Sequence, residues 1–396
     1  MKIKIRKEDV KWILLTICLC TSMMTLKARL LGFLLFAGCD LIEYFRSKKV
    51  TLDYYSLCQL VFSSFIILSL YKVKYLEFYS TWSIIYGIFG TLYLAMWVRK
   101  NLRSQNAVES ALKTFVAASI IGAVYALTQT PVYKLSDFFL GDYGLGSHNM
   151  LGMLSAFGTG ICFYFFLNAK GKCTKSYILL LCIEIVITFL AGSRKGLVGM
   201  VMCVSMIFFL SSNNIKLLRN GCLSVLGILM LYYLSMNNQI LYELFGNKMN
   251  VLVQNVLMGA DSQDFSMLER SYYREQAMNL FLENPIFGVG INGFRSYMQE
   301  IGYSHVTYSH CNYTELLANY GVVGFVLYYF YKVKLILSNI SELRKYKLLP
   351  VTLITFAIVL LILEYGFVAY YQIWVQFMWV VVFYGIKFLY MKREVE

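Results

Sequence analysis

Three kinds of side chain in this sequence have the chemistry to act together: arginines that would hold an oxyanion, a histidine that would take a proton, and glycines that let a ligand approach the backbone. They gather in one polar stretch, Ser235 to Cys311, of an otherwise apolar chain. Arg270 and Arg274 stand at i and i+4 of an amphipathic helix, with Tyr273 and Ala277 on the same stripe. Two guanidiniums this close repel unless an anion lies beside them, and a diphosphate is a suitable one because the guanidinium fork pairs with its oxygens. The plainer reading is a solvated face neutralised by Glu269 and Glu275. His310 is the candidate base, since imidazole is the side chain whose ordinary pKa permits proton uptake near neutrality. Asn312 and Glu315, within a turn of it, would orient the ring or an acceptor; the alternative is a polar cap.

Outside that stretch, Gly192-Ser193-Arg194-Lys195-Gly196 is a tight turn that delivers Arg194 to the membrane boundary, where a charge is either functional or snorkels to headgroups. Gly146 to Gly152 opens a helix that Asn149 would cap. Gly288 and Gly290 form a glycine turn behind Pro285. His305 has no partner pattern and reads as a loop residue, while Glu184 and Glu364 lie within apolar runs and need polar partners that the sequence does not name.

The elements that must position these residues are membrane helices. The chain is 59% hydrophobic and 15% charged over 396 residues, and its apolar residues come in runs long enough to span a bilayer. The runs are Trp12 to Leu26, Leu30 to Phe45, Tyr54 to Tyr71, Leu76 to Val98, Leu112 to Gln129, Asn149 to Leu167, Ser176 to Ala191, Gly196 to Ser211, Ile215 to Leu234, Leu316 to Lys334, Leu349 to Phe367 and Tyr371 to Tyr390. The predicted fold is an all-α polytopic membrane protein of about twelve transmembrane helices, a single domain over 1–396, with one long loop, 235–311, between helices nine and ten. Within the loop, Ser266 to Glu269 fits a capping box that starts a helix near Met267, and Pro285 ends it.

With both termini cytoplasmic, most of the 36 Lys and Arg fall on the cytoplasmic side and the long loop faces out. That bias, and attraction to membrane lipids, accounts for the net charge of +14, so no nucleic-acid partner is expected. The first run lacks a cleavage site and reads as a retained helix. Of ten cysteines only Cys311 is near the outer face, and no Cys or His pair has metal-ligand spacing, so no disulfide, metal or cofactor is expected.

In order along the chain, these residues resemble the O-antigen ligase and polymerase superfamily, integral-membrane enzymes that act on polyprenyl-diphosphate-linked glycans. Asn149-x-Leu151-Gly152 is similar to the family's entry to a central helix, and Gly192-Ser193-Arg194-x-Gly196 to its Gly-Ser-Arg-x-Gly turn. Arg270 with Pro285-x-x-Gly288-x-Gly290 is similar to the arginine and glycine turn of the outer loop, and His310-x-Asn312-Tyr313-x-Glu315, with Gly321 to Gly324 beyond, to the segment that leads into the next helix. The likeness covers about Asn149 to Phe325. Cys311 departs from the family's usual asparagine and Arg274 from a common aromatic.

The resemblance implies a membrane glycosyltransferase of the bacterial plasma (inner) membrane, with its active site outside the cytoplasm. It would use a polyprenyl-diphosphate-linked oligosaccharide donor and a glycan acceptor. Arg194 and Arg270 would stabilise the leaving diphosphate, Arg274 would assist, and His310 would deprotonate the attacking hydroxyl with inversion. Asn149, Gly288, Gly290, Asn312 and Glu315 would line the substrate site. No metal is required where arginines supply the charge, and no nucleotide where the donor linkage stores the energy. A polymerase of O antigen or capsule, with a chain-length regulator as a further partner, is preferred over a ligase to a different acceptor. The preference rests on a composition rich in Lys, Ile, Tyr and Phe and poor in Pro. A lipid-linked glycan flippase is the reading from another class, and the missing internal repeat weighs against it.

Overall fold

The structure, a computed structural model, describes residues 7–47, 53–72, 78–131, 140–145, 147–171, 173–211, 265–303, 307–340 and 347–391, with isolated positions between 219 and 250. Among the described residues there are thirteen α-helices and no strand. In chain order they are α1 (Lys7–Thr21), α2 (Leu26–Ser47), α3 (Tyr54–Leu68, extended by a 3-10 turn Ser69–Lys72), α4 (Phe78–Asn101), α5 (Gln105–Gln129), α6 (His148–Asn168), α7 (Cys173–Leu190), α8 (Arg194–Leu210), α9 (Phe265–Glu283), α10 (Gly293–Glu300), α11 (Asn312–Ile340), α12 (Leu348–Leu363) and α13 (Ile373–Met391). Much of the predicted ninth run, Ile215 to Leu234, much of the loop before Phe265, and His305 fall outside the described residues.

Six of these helices are long and apolar enough to cross a membrane, and α12 and α13 are shorter apolar helices. The count of twelve is therefore not reached among the described residues. The helices α1 and α8 are short, at 15 and 17 residues, and α2 carries Lys27, Arg29, Asp40, Glu43 and Arg46. Apolar side chains on the outside of the bundle, such as Leu179 and Val186 of α7, are those a lipid solvent accepts.

The helix α6 is the centre, buried from Leu151 to Cys162 and packed by α5, α7, α8 and α12. Its company with α8 depends on two glycines. A Cβ on Gly196 would lie 2.5 Å from the Gly152 carbonyl oxygen, and one on Gly152 2.5 Å from the Ser193 Cβ, so the helix N-termini meet backbone to backbone. Local signals set the starts of both. Ser147 caps α6 and Ser193 caps α8, each hydroxyl accepting an N–H three residues on. Asn149, expected as the α6 cap, is instead its second helical residue, because Ser147 already satisfies the Met150 N–H.

The helix α9 ends one residue before Asn284-Pro285, as the proline dictates, but it already includes Phe265 and Ser266. The Ser266 to Glu269 pair thus lies within the helix rather than at its boundary. Beyond it, the glycine turn inserts into a break in α11. Gly321 has φ +62°, and Val322 and Val323, which in an unbroken helix would donate to Ala318 and Asn319, donate instead to the Pro285 and Ile286 carbonyls at 2.8 and 3.2 Å. The released Ala318 and Asn319 carbonyls accept from Val289 and Gly290 at 3.1 and 2.7 Å. Two lost helical bonds are replaced by four between segments, which is how an interrupted helix persists inside an apolar bundle. This clasp ties α9 and α10 to the helix that His310 precedes.

Candidate functional site

The site lies at the end of the bundle where α6, α8 and α11 begin and α3 and α12 finish. The cap of α8 reaches across to α6, with Ser193 Oγ donating to Asn149 Oδ1 at 3.0 Å. Behind it come Arg194 and Lys195, both partly buried. The Lys195 ammonium donates to the Gly366 carbonyl in the turn after α12. Arg194 leaves the helix about 100° around from Lys195, on another face. Both cations sit in the first turn of a helix, where the macrodipole disfavours positive charge, so an anion is the natural complement.

From α9, Tyr273 and Ala277 pack inward against Phe294 and Met298 of α10 and Ala318 of α11, which leaves Arg270 and Arg274 at the edge of that contact. The Arg274 guanidinium lies 5.1 Å from the Tyr365 ring centroid. The Tyr273 hydroxyl donates to Glu269 Oε1 at 2.5 Å. From α10, Arg295 lies 5.8 Å from the Tyr308 ring. Asn319 positions α10 by accepting the Phe294 N–H at 2.8 Å, and Asn292 anchors it to α4 through Ser80 and Thr81 at 2.8 and 2.7 Å.

His310 stands among these groups. Its backbone is left-handed, φ +57°, a conformation that non-glycine residues hold only where the surroundings impose it. Its ring is parallel to Tyr273 at 5.9 Å and against Tyr308 at 4.2 Å. Glu315 holds the turn by accepting the Ser309 N–H at 2.7 Å and the Asn319 amide at 3.1 Å. Burial first, then the charges of Arg270, Lys195, Arg274 and Arg295, push the imidazole down to about 3, so it is neutral at pH 7 and a weak base as it stands. Burial likewise pushes the Tyr308 phenol up to about 12.

Asn312 is spent on structure. Its Oδ1 accepts the N–H groups of Ala369 and Tyr370 at 2.8 and 3.0 Å, and its Nδ2 donates to the Tyr329 hydroxyl at 2.7 Å and to Glu364 Oε2 at 3.0 Å. Gly288 and Gly290 use their positive φ angles for close approach to protein. A Cβ would lie 2.4 Å from the Asn319 carbonyl carbon in the first case and 2.7 Å from the Ser69 oxygen in the second.

Arg270, Arg274 and His310, singled out from the sequence, are thus brought together. Lys195 and Arg295 join them and were missed. Lys195, rather than Arg194, is the α8 residue whose charge weighs most on the imidazole. A signal for both exists in hindsight: each is a cation in the first turn of a helix that follows a glycine turn.

Residues 176–329 match the family model described as O-antigen ligase. This segment is thus similar to O-antigen ligases. No curated protein matches the chain. The matched segment runs from α7 to Tyr329 of α11, so it holds Lys195, Arg270, Arg274 and Arg295, and the Gly321 side of the clasp. Asn149 and the Tyr365 to Tyr370 turn, which complete the site's walls, come from outside the matched segment. The match and the six long apolar helices agree with an integral membrane protein.

Proposed function

We propose that this protein is a bacterial surface-polysaccharide polymerase, which transfers a glycan from polyprenyl diphosphate to a sugar hydroxyl of another lipid-linked repeat unit at the outer leaflet. The observation that carries the reading is the convergence of Lys195, Arg270, Arg274 and Arg295, from three helices, on a buried neutral imidazole. Such a set matches a reaction in which an anion leaves while a hydroxyl loses its proton.

In the proposed step the acceptor oxygen attacks the anomeric carbon, His310 takes the hydroxyl proton, and the bond from that carbon to the diphosphate oxygen breaks on the opposite face. The configuration inverts, and the diphosphate departs with the electron pair, held by the guanidiniums of Arg270 and Arg194 with Arg274, Arg295 and Lys195 beside them. The diphosphate would also offset the cations' share of the depression of the imidazole, though not the share due to burial, so the base regains part of its strength when the donor is seated. Asn149 acts through Ser193, and Asn312 and Glu315 through the turn, to keep α8 and His310 in register.

The test is to delete the gene, complement it with wild type or His310→Ala, and size the glycans left on polyprenyl diphosphate. Single repeat units should accumulate, cleared only by wild type. Long lipid-linked polymer accumulating instead would mean that the chain is built elsewhere and that this protein is the ligase.

A further inference from the structure

On the side of α10 turned away from His310 lies a concavity of about 500 Å³, between the end of α9 and α10. That volume is in the range of small-ligand sites. Arg295 and Tyr297, two residues apart, leave α10 about 200° apart, so one face carries a cation toward Tyr308 while the other presents Tyr297 and Glu300 to the groove. Phe294 and Met298, buried between them, separate the two. We propose that this groove binds sugar residues of a lipid-linked glycan remote from the bond being made, a proposal that rests on the transferase reading above.

The walls have the chemistry of carbohydrate recognition and not of phosphate recognition. Tyr297 offers a half-buried ring, held in orientation by its hydroxyl donating to Gln276 Oε1 at 3.2 Å. A sugar's C–H face packs on such a ring. Glu283, Asn284 and Glu300 surround it with acceptors, and an amide donor, for hydroxyl groups. The groove's cation, Lys72, is already bonded to the Gly288 carbonyl at 3.0 Å and lies 5.6 Å from the Phe287 ring. Two carboxylates against one engaged ammonium would repel a diphosphate, the reverse of the balance around His310. Tyr71, Leu282, Ile286 and Phe287, all well exposed, lie beside the groove in the chain and make an apolar rim suited to the bilayer surface from which a lipid-linked glycan rises. About one helix diameter, roughly 10 Å, separates the groove from His310, so its occupants are not the reacting sugar.

The proposal is tested on the full-length protein in nanodiscs. The probe is the oligosaccharide freed by mild acid from the polyprenyl-linked glycans of the producing bacterium, and binding is followed by saturation-transfer NMR. Wild type should bind, and His310→Ala and Arg270→Ala should bind equally well, which reads the groove independently of the reaction. Tyr297→Ala and the exposed Glu283→Gln should each weaken binding, the former roughly tenfold, while Tyr297→Phe, which keeps the ring, should bind as wild type does. If single repeats bind as tightly as longer chains, the occupant is the incoming unit; a preference for longer chains makes it the growing polymer. No binding by wild type, unchanged binding in both Tyr297→Ala and Glu283→Gln, or loss of binding in His310→Ala would overturn the groove. Loss of glycan transfer in none of the His310 and Arg270 variants would instead overturn the transferase reading.

Discussion

Two buried polar regions meet at Asn312, and they are built on opposite plans. On one side Glu364, fully buried, accepts from Tyr329 at 2.6 Å, Asn312 at 3.0 Å, Trp379 at 3.2 Å and Tyr328 at 3.4 Å, with the ammonium of Lys332 over the Tyr328 ring at 3.2 Å. On the other, His310 faces four cations, while the nearby carboxylates Glu269 and Glu315 are occupied by Tyr273, Ser309 and Asn319. In the first region the Glu364 carboxylate is saturated: surrounded by four donors, it locks α11, α12 and α13 together, while the Lys332 ammonium rests on aromatic rings without a hydrogen bond among the described residues. The second carries an excess of positive charge among the described residues, which an anion would complement. A polar group that stabilises is one whose bonds are complete, whereas a group that acts retains an unmet electrostatic demand.

Substitutions on the two sides should therefore fail in different ways. The largest loss of activity is expected from His310→Ala, about 10²- to 10⁴-fold in transfer measured on purified protein, with unchanged amounts of folded protein in the membrane. Arg270→Ala should follow, at about 10²- to 10³-fold in kcat, with Arg270→Lys recovering part of it. Asn312→Ala would do the reverse. It leaves the Ala369 and Tyr370 N–H groups without their partner, at about 1–3 kcal/mol for each orphaned group, and takes one of its donors from Glu364, so the thermal unfolding midpoint should drop before any kinetic change is read. An Asn312→Ala protein of normal stability with no activity would erase the distinction between the two regions.

Smaller effects sharpen it. Gly321→Ala puts a Cβ 2.4 Å from the Ile286 carbonyl carbon at φ +62°, and should cost about 1–3 kcal/mol in stability by opening the clasp. The smallest effect is on pH dependence. An imidazole held at about 3 stays unprotonated far below the usual histidine range, so kcat/KM of wild type should lack a fall near pH 6.5. Lys195→Met removes a cation, favours the protonated ring and should move the acid limb upward, by less than about one pH unit. An acid limb near pH 6.5 in wild type would mean that the ring is neither shielded from water nor faced by the cations as placed here.

Much of this was legible along the chain. Pro285 ends α9, Ser193 caps α8, and the apolar runs outline most of the described helices, because a cap, a breaker or a hydropathy run acts within a turn or a span of its own sequence. The grouping of Arg270, Arg274 and His310 was also visible, since all three lie in one polar stretch. Asn149 and Ser266 were misread as helix boundaries because several residues near each start are good caps, and the backbone bond that decides among them is not written in residue type.

What the sequence by itself determined is the material: a bundle of apolar helices and one polar segment with arginine, glycine and histidine in a recognisable order. Only the tertiary structure decided that Lys195 rather than Arg194 bears most on the imidazole, that Arg295 completes the cation set, that Gly321 breaks α11 to receive the Pro285 turn, and that Glu364 is held by Asn312, Tyr328, Tyr329 and Trp379. Each of these depends on the rotational phase and depth of helices far apart in the chain. Hydropathy tolerates any phase that keeps an apolar face to lipid, so the phase is set by contacts such as that of Gly152 with Gly196, and these exist only once the bundle has formed.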